Sequence, residues 1–366
     1  MIDIDKEITL EIGIVGLPNV GKSTLFNALT GAGVAAENFP FTTIEPNVGI
    51  VPLPDSRLEV LAQKFKSAKI TPSGIRFIDI AGIVKGASQG EGLGNKFLSH
   101  IREVDAVAHV VRCFHDENVV NMMHDLNPLD AADIIETELL LADLQQAQKA
   151  FDRLEGPVRS GDKKSKDKQL LLEALLKGFN QGKSARNQNF PEELIKEFQF
   201  LTSKPILYVA NIDEGHVSED LLKALKERAL KESAEVVVLC AKIESEIVQL
   251  PAEERKAYYE SAGIATPGLG KLAQTGRHLL NLVCFFTAGP TESRAWLIPK
   301  GTVASKAAGK IHSDMERGFI RAEVYKYDDL VYLGSYKAIQ EKGLVRLEGK
   351  DYEVEEGDVV YFRFSV

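Results

Sequence analysis

The chain has 366 residues, of which 44% are hydrophobic and 27% are charged, and its formal net charge is −9. This composition predicts a globular chain of two or three domains and argues against an indiscriminate nucleic-acid binder. Three widely separated cysteines exclude a disulfide framework. Because no apolar run reaches the ~18 residues of a membrane span and no signal peptide is recognisable, we expect a cytoplasmic protein without a membrane or DNA partner.

Short apolar runs alternate with helical stretches through much of the first 240 residues. Near-continuous apolar strands of this kind are typical of a sheet that helices cover on both faces. The pattern therefore predicts an α/β fold with a doubly wound, mostly parallel sheet. The predicted strands are Leu10–Val15, Asn47–Val51, Ile75–Ile80, Ala106–Val111, Ile206–Ala210 and Glu235–Cys240.

The first predicted strand leads into GLPNVGKS at Gly16–Ser23, and a helical stretch follows. This is the strand–loop–helix context of a phosphate-binding P-loop, in which glycines let backbone N–H groups converge on phosphate oxygens. Lys22 is expected to reach the β- and γ-phosphates, and Ser23 to offer its hydroxyl to Mg²⁺. The predicted nucleotide contacts on this loop are Asn19, Val20, Gly21, Lys22, Ser23 and Thr24.

Two later motifs fall where a nucleotide switch would place them. FPFTTIEPN carries adjacent threonines, of which Thr43 is assigned the second Mg²⁺ contact and Thr42 is the fallback. DIAG ends a predicted buried strand, so Asp79 would hold Mg²⁺ through water, and Gly82 would offer its N–H to the γ-phosphate. A D-x-x-G motif alone is weak evidence of a nucleotide site, but its position after a P-loop and a switch threonine strengthens the assignment. The glycine-rich stretch after Gly82 predicts a switch loop.

The α/β alternation stops over residues 131–203. Apolar residues recur there at steps of three and four, which predicts two antiparallel helices in a coiled-coil insertion. The segment Arg159–Lys168 interrupts the period and predicts a lysine-rich turn at the tip. We interpret this turn as a solvated loop, with a contact to RNA phosphates as the alternative. The seam residues are Leu140, Leu144, Ala147, Phe151, Leu154, Leu172, Leu175, Leu176 and Phe179.

The segment NIDEG, which follows the predicted strand Ile206–Ala210, indicates which nucleotide base the protein binds. A guanine-binding protein would carry Asn-Lys-x-Asp, but here Ile212 replaces the lysine and Glu214 replaces the aspartate. Asn211 can still serve the N7/N6 edge of a purine through its amide. The backbone of Cys240 and Ala241 follows the next strand in the position that meets the base. These features favour adenine over guanine.

Residues 281–366 are rich in short strands, glycine turns and aromatics, which predicts a small separate β-rich domain. Residues 1–280 would then form the nucleotide-binding domain, interrupted by the insertion at 131–203. The segment Arg294–Arg321 has six basic residues against two acidic ones. This local excess suits a phosphate backbone, and a solvated domain face explains it almost as well.

The motifs GLPNVGKS, ENFPFTTIEPN and DIAGIVKGASQGEGLGNKFL, with the helical insertion, resemble the YchF family of Obg-like ATPases. This family belongs to the translation-factor-related class of P-loop GTPases, and the C-terminal portion is similar to a TGS domain. The likeness covers essentially the whole chain. It implies a preference for ATP over GTP, an association with ribosomes or ribosomal RNA, and a contact between Ile212 and adenine.

The chain departs from the family pattern at the residue proposed to help hydrolysis. The family commonly has a histidine where Asn121 stands, while His115 and His124 are out of register. Ile83 and Val84 cannot orient water as the glutamine of Ras-like enzymes does, so we expect slow intrinsic turnover.

Asn19 has two interpretations. It could ligate K⁺, as the corresponding asparagine does in related cation-dependent GTPases, or it could only brace the loop.

Three functions are consistent with these features. The leading one is a Mg²⁺-dependent ATPase that regulates a translation-related partner. The second is a conventional GTPase switch. The third is an RNA- or ribosome-binding protein that holds nucleotide as a structural ligand.

Overall fold

The computed structural model describes residues 10–34, 47–80, 93–114, 128–214, 219–261 and 267–365. Its strands are β1 (Glu11–Val15), β2 (Val48–Pro52), β3 (Lys69–Thr71), β4 (Gly74–Asp79), β5 (Ala106–Arg112), β6 (Ile206–Asn211), β7 (Glu235–Leu239), β8 (Leu282–Ala288), β9 (Glu292–Pro299), β10 (Phe319–Lys326), β11 (Arg346–Glu348) and β12 (Asp358–Phe364).

The longer helices are interspersed among these strands. They are α1 (Lys22–Val34), α2 (Ser56–Phe65), α3 (Leu93–Glu103), α4 (Pro128–Arg159), α5 (Lys163–Asn180), α6 (Glu192–Phe198), α7 (Glu219–Lys231), α8 (Ala241–Ile247), α9 (Ala252–Ser261), α10 (Gly268–Leu279), α11 (Ala304–Ile311), α12 (Ser313–Arg317), α13 (Tyr327–Leu333) and α14 (Tyr336–Glu341). Two short 3-10 turns occupy Ala185–Asn187 and Leu201–Ser203.

The first sheet has the strand order β2-β4-β1-β5-β6-β7. The pairs β1·β5, β5·β6 and β6·β7 are parallel, with Ile14 opposite Ala108 and Ala210 opposite Val238. Successive strands are joined through helices, and the inner strand β6 is buried along its whole length. The predicted parallel α/β fold is confirmed, and the six predicted strands are present with ends that differ by about one residue.

The chain divides into two compact units. One combines residues 1–10, 29–76 and 269–366, and the other combines 11–28 and 77–268. The boundary predicted after residue 280 and the insertion limits at 131–203 remain predictions.

Within the second unit, α4 and α5 form the helical pair that the sequence predicts. Their shared core contains the predicted seam residues, including Leu144, Ala147, Leu172 and Phe179. The predicted lysine-rich turn over Arg159–Lys168 is wrong, because helix α5 already begins at Lys163. Asp162 caps this helix by accepting hydrogen bonds from the backbone N–H groups of Lys164 and Ser165. The connection between the helices therefore contains only residues 160–162.

The other unit contains a second sheet with the order β11-β10-β12-β8-β9-β3. The β-rich C-terminal region is thereby confirmed. Strand β3 was not predicted: it lies far earlier in the chain and pairs in parallel with β9, with Ile70 opposite Ser293. A three-residue strand is too short to show a period of two, so only its partner reveals it.

Two apolar clusters cover the two faces of this second sheet. On one face, α11 contributes Ala304 and Ala307 to a cluster with Phe285, Val324 and Phe362. On the other face, α2, α13 and α14 pack against strand residues. That second cluster includes Leu58, Leu61, Cys284, Phe286, Tyr325, Leu330, Ile339 and Val359.

Candidate nucleotide site

The loop between β1 and α1 has the backbone shape of a phosphate-binding loop. Asn19 and Gly21 have positive φ angles of 63° and 91°. Alternating left- and right-handed residues turn successive N–H groups toward one point, which makes an anion-binding concavity. The positive φ angle of Gly21 favours glycine at this position. Glycine is also required because a Cβ there would lie 2.1 Å from Nδ2 of Asn211.

Lys22 and Asp79, two charged residues that the sequence analysis assigns to the site, form an ion pair at the end of this loop. The Nζ of Lys22, in the first turn of α1, forms an ion pair with Oδ1 of Asp79 at the end of β4. Both side chains keep some exposure, 13% and 23% respectively. Ser23, the next residue on α1, is exposed, and Thr24 is half-buried. The residues assigned to phosphate and to Mg²⁺ therefore lie side by side.

Asn211 connects three separate parts of the site. Its side chain is 4% exposed at the end of β6. Its Nδ2 donates to the Val20 carbonyl at 3.0 Å, and its Oδ1 accepts from the Ala241 N–H at 2.9 Å. The amide group thus cross-links the phosphate loop to the start of α8. A side-chain amide has two N–H hydrogens, so Val20 uses only one of them.

The residues after Asn211 form the surface predicted to meet the base. The N–H of Ile212 donates to the Leu239 carbonyl at 2.9 Å, which holds this residue against the end of β7. The Ile212 side chain is half-buried and Glu214 is exposed. Oδ1 of Asp213 accepts the N–H of Glu214 at 2.8 Å, which shapes the turn. Burial raises the pKa of the nearby Cys240 thiol, so this cysteine stays neutral.

Two contributors to the site were missed by the sequence analysis. The first is Arg112 at the end of β5, whose Nη1 donates to the Asn19 carbonyl at 3.4 Å. Its guanidinium also lies 4.4 Å from the centre of the Phe114 ring. A basic residue at the carboxyl end of a central parallel strand is the signal that could have indicated it, because ligands bind at that edge.

The second missed contributor is Glu244, which is 5% exposed on the first turn of α8. Its Oε1 accepts the Gly268 N–H at 2.7 Å, and its Oε2 accepts the Tyr259 hydroxyl at 3.2 Å. A Cβ at Gly268 would lie 2.6 Å from Oε1, so this close approach requires glycine. Glu244 therefore fixes the helix whose first residue, Ala241, bonds to Asn211.

Several residues that the sequence analysis discusses in relation to the site lie outside the described part of the chain. They are Thr43, its fallback Thr42, Gly82, Asn121, His115 and His124. Within the described ranges, no group of three or more His, Cys, Asp or Glu side chains is arranged to hold a metal ion. None of the helices in those ranges is long and apolar enough to cross a membrane.

Comparisons with known families agree with this geometry. Residues 11–142 match a family described as "50S ribosome-binding GTPase". Residues 282–365 match the family YchF-GTPase_C, described as "Protein of unknown function (DUF933)". The parallel sheet, the phosphate loop and the Lys22–Asp79 pair define a P-loop nucleoside triphosphatase.

Full-length relatives identify the family more closely. A protein of Bacillus subtilis named "Ribosome-binding ATPase YchF" is 50% identical over 98% of this chain and 100% of its own length. A Haemophilus influenzae protein of the same name is 49% identical over 97% and 99%. The structure of the Schizosaccharomyces pombe YchF GTPase superimposes with a TM-score of 0.83, at 33% identity, over 97% of this chain and 98% of that one. The chain belongs to the YchF family, which confirms the resemblance.

Proposed function

We propose that this chain binds ATP in preference to GTP, hydrolyses it slowly and associates with ribosomes in the cytoplasm. The observation that carries the proposal is the loop at Asn211. Its amide holds the phosphate loop and α8 together, while Ile212 and Glu214 stand in place of the lysine and aspartate that serve guanine. The names of the B. subtilis and H. influenzae relatives support both ATP and the ribosome as partners.

Phosphate binding would depend on Lys22 and on the backbone N–H groups between Asn19 and Ser23. Their positive charge and fixed dipoles favour the negative charge that develops on the transferred phosphoryl group. Gly82 is proposed to offer its N–H to the γ-phosphate. Because Ile83 and Val84 carry no polar side-chain group, the chain has no glutamine at this point to orient water, and turnover should be slow.

The oxygen donors near Lys22 suit a magnesium ion. Mg²⁺ is usually held by one or two protein oxygens together with substrate phosphates. Ser23 presents an exposed hydroxyl, and the Asp79 carboxylate lies against the neighbouring Lys22. We propose Ser23 and Asp79, with Thr43, as the protein groups toward Mg²⁺. The ion would neutralise phosphate charge when bound.

The base preference is proposed to come from hydrogen-bond complementarity. Guanine presents N1–H and N2–H₂ donors, which a short aspartate can accept together. Glu214 has a longer side chain than aspartate and is exposed three residues beyond the end of β6, and Ile212 offers an apolar side chain to the ring. GTP would therefore bury donors without partners, which costs roughly 1–3 kcal/mol for each group.

A matched pair of lysine variants tests the proposal. Lys22→Ala should reduce ATP turnover more than tenfold, because it removes the positive charge that contacts the phosphates. Lys271→Ala, an exposed lysine on α10, should have no effect. Wild-type turnover in Lys22→Ala would contradict the catalytic assignment. Sedimentation with ribosomes, with and without ATP, tests the partner. Ribosome binding by Lys22→Ala that equals the wild type would favour the alternative in which nucleotide is only a structural ligand.

A further inference from the structure

Two consecutive carbonyl groups of the phosphate loop each accept a hydrogen bond from a side chain of the parallel sheet. The Val20 carbonyl accepts Nδ2 of Asn211 at 3.0 Å, and the Asn19 carbonyl accepts Nη1 of Arg112 at 3.4 Å. Arg112 is the last residue of β5 and Asn211 the last of β6, and the two lie directly opposite each other in the parallel pairing. The register of β5 and β6 therefore brings two donors to two consecutive peptide groups of the loop.

The geometry of the peptide group converts these contacts into an orientation of the loop. In a planar trans peptide, the C=O and the N–H point in opposite directions. The Asn19 carbonyl shares its peptide plane with the Val20 N–H, and the Val20 carbonyl shares its plane with the Gly21 N–H. Holding both carbonyls toward the ends of β5 and β6 therefore turns both N–H groups to the other side of the loop. The positive φ angles of Asn19 and Gly21 are part of the same anion-binding shape.

The guanidinium group of Arg112 is itself held in place. Its Nε donates to the Phe114 carbonyl at 3.2 Å, and its Cζ lies 4.4 Å from the centre of the Phe114 ring. A planar guanidinium can make both contacts and still present Nη1 to Asn19, because its donors form a rigid fork. Arg112 is therefore suited to fixing the direction of the Asn19 peptide, in addition to placing a positive charge beside it.

The residue that follows Asn211 brings no charge to this part of the loop. A guanine-binding protein would carry lysine there, whereas Ile212 has an apolar side chain. The Ile212 N–H donates to the Leu239 carbonyl at 2.9 Å and is directed at β7. The cation beside Asn19 thus comes from the end of β5, in the form of Arg112.

We propose that Arg112 is a positioning residue for polyphosphate binding, which together with Asn211 presets the N–H groups of Val20 and Gly21 for the β-phosphate that ADP and ATP share. Backbone N–H groups of such loops cradle this phosphate. Arg112 contacts the loop on the carbonyl side, so it acts through the loop and not on the reacting atoms. This role deepens the proposed ATP binding and rests on it for the identity of the ligand.

The proposed role predicts which measured quantities change when Arg112 is replaced. Asn19 is exposed and its bond to Arg112 is solvent-accessible, so water can replace the donor and the stability of the fold should change little. ADP and ATP should lose affinity by the same factor, because both contain the β-phosphate. Turnover at saturating ATP should persist, since preset N–H groups serve the bound substrate and the transition state alike.

The test titrates the nucleotide-free, full-length chain with ADP and with ATP, and measures ATP turnover and Tm. Arg112→Ala should weaken both nucleotides about 3- to 10-fold, as expected for one lost hydrogen bond, and raise KM equally with kcat within about twofold of the wild type. Its Tm should stay within about 2 °C of the wild type. Arg112→Lys keeps the charge without the planar fork and should recover only part of the affinity. Arg153→Ala removes an exposed arginine of α4 and should match the wild type.

Several results would overturn the proposal. Wild-type affinity for both nucleotides in Arg112→Ala would do so, as would a loss for ATP alone or a fall in kcat with KM unchanged, which would place Arg112 at the reacting γ-phosphate. Full recovery in Arg112→Lys, or an equal loss in Arg153→Ala, would reduce the role to charge. A fall in Tm of more than about 4 °C would make Arg112 a structural brace of the fold.

Failure of the proposed function gives a different result. A wild-type chain that binds ADP but does not hydrolyse ATP would contradict the ATPase proposal, while the comparison of ADP affinity between the wild type and Arg112→Ala would still decide the role of Arg112.

Discussion

Asn211→Ala is the substitution that most directly perturbs the architecture of the nucleotide site. It removes the side chain that bonds Val20 and Ala241, while the backbone groups of both residues remain. Ala241 is 1% exposed and Val20 is 4% exposed, so water cannot readily replace the lost partners. An unsatisfied buried polar group costs about 1–3 kcal/mol. Two such groups predict a loss of about 2–6 kcal/mol in the free energy of unfolding.

Thermal unfolding and ATP titration measure this effect. A loss of 2 kcal/mol in a unit of this size corresponds to a fall of about 4–8 °C in Tm. ATP affinity should fall as well, since the phosphate loop and α8 are no longer tied together. Asn180→Ala is a matched control, because Asn180 is an exposed residue and the change removes a single, partly buried hydrogen bond to the Leu176 carbonyl. If Asn211→Ala melts like this control and binds ATP like the wild type, the cross-link does not organise the site.

Three further predictions concern other parts of the chain. Burial raises the pKa of Asp143 to about 6, so its contribution to stability is fully present below about pH 4 and is lost as pH rises through 6. Asp143→Asn should abolish this dependence, of about 3 kcal/mol at most, in unfolding measured across that range. Arg57 pairs with Asp55 and Glu356 and lies over the Phe286 ring, so Arg57→Ala should lower the unfolding free energy of that unit by about 1–3 kcal/mol; an unchanged denaturation midpoint would contradict this. Replacing Na⁺ with K⁺ should raise ATP turnover if Asn19 ligates K⁺, and Asn19→Ala should remove the difference, whereas equal rates in both salts would leave Asn19 as a brace of the loop.

Local patterns in the sequence predicted most of the fold and the phosphate side of the site. The P-loop is contiguous, and the apolar strands and the helical seam have clear periods, so each can be read from neighbouring residues. The run of charged residues after Asp162 led to the prediction of a turn, but Asp162 caps a helix that begins at Lys163 and contains these lysines.

Contacts between distant residues could not be predicted in this way. Asn211 and Val20 are 191 positions apart, and the hydrogen bond between them has no sequence signature. The same is true of Glu244 with Gly268 and of β3 with β9. The sequence assigned Asn211 only to the base, while the structure shows that its amide also joins the loops that form the pocket.

The most direct test of the proposed function is the affinity of the chain for ATP and GTP, measured by titration of the nucleotide-free protein. The wild type should bind ATP about tenfold or more tightly than GTP, because GTP would leave guanine donors unsatisfied. Ile212→Lys combined with Glu214→Asp should recover GTP affinity and weaken ATP binding. The single change Ile212→Lys is the control and should not recover GTP, since it supplies no carboxylate. Equal affinity of the wild-type chain for GTP and ATP would contradict the proposal.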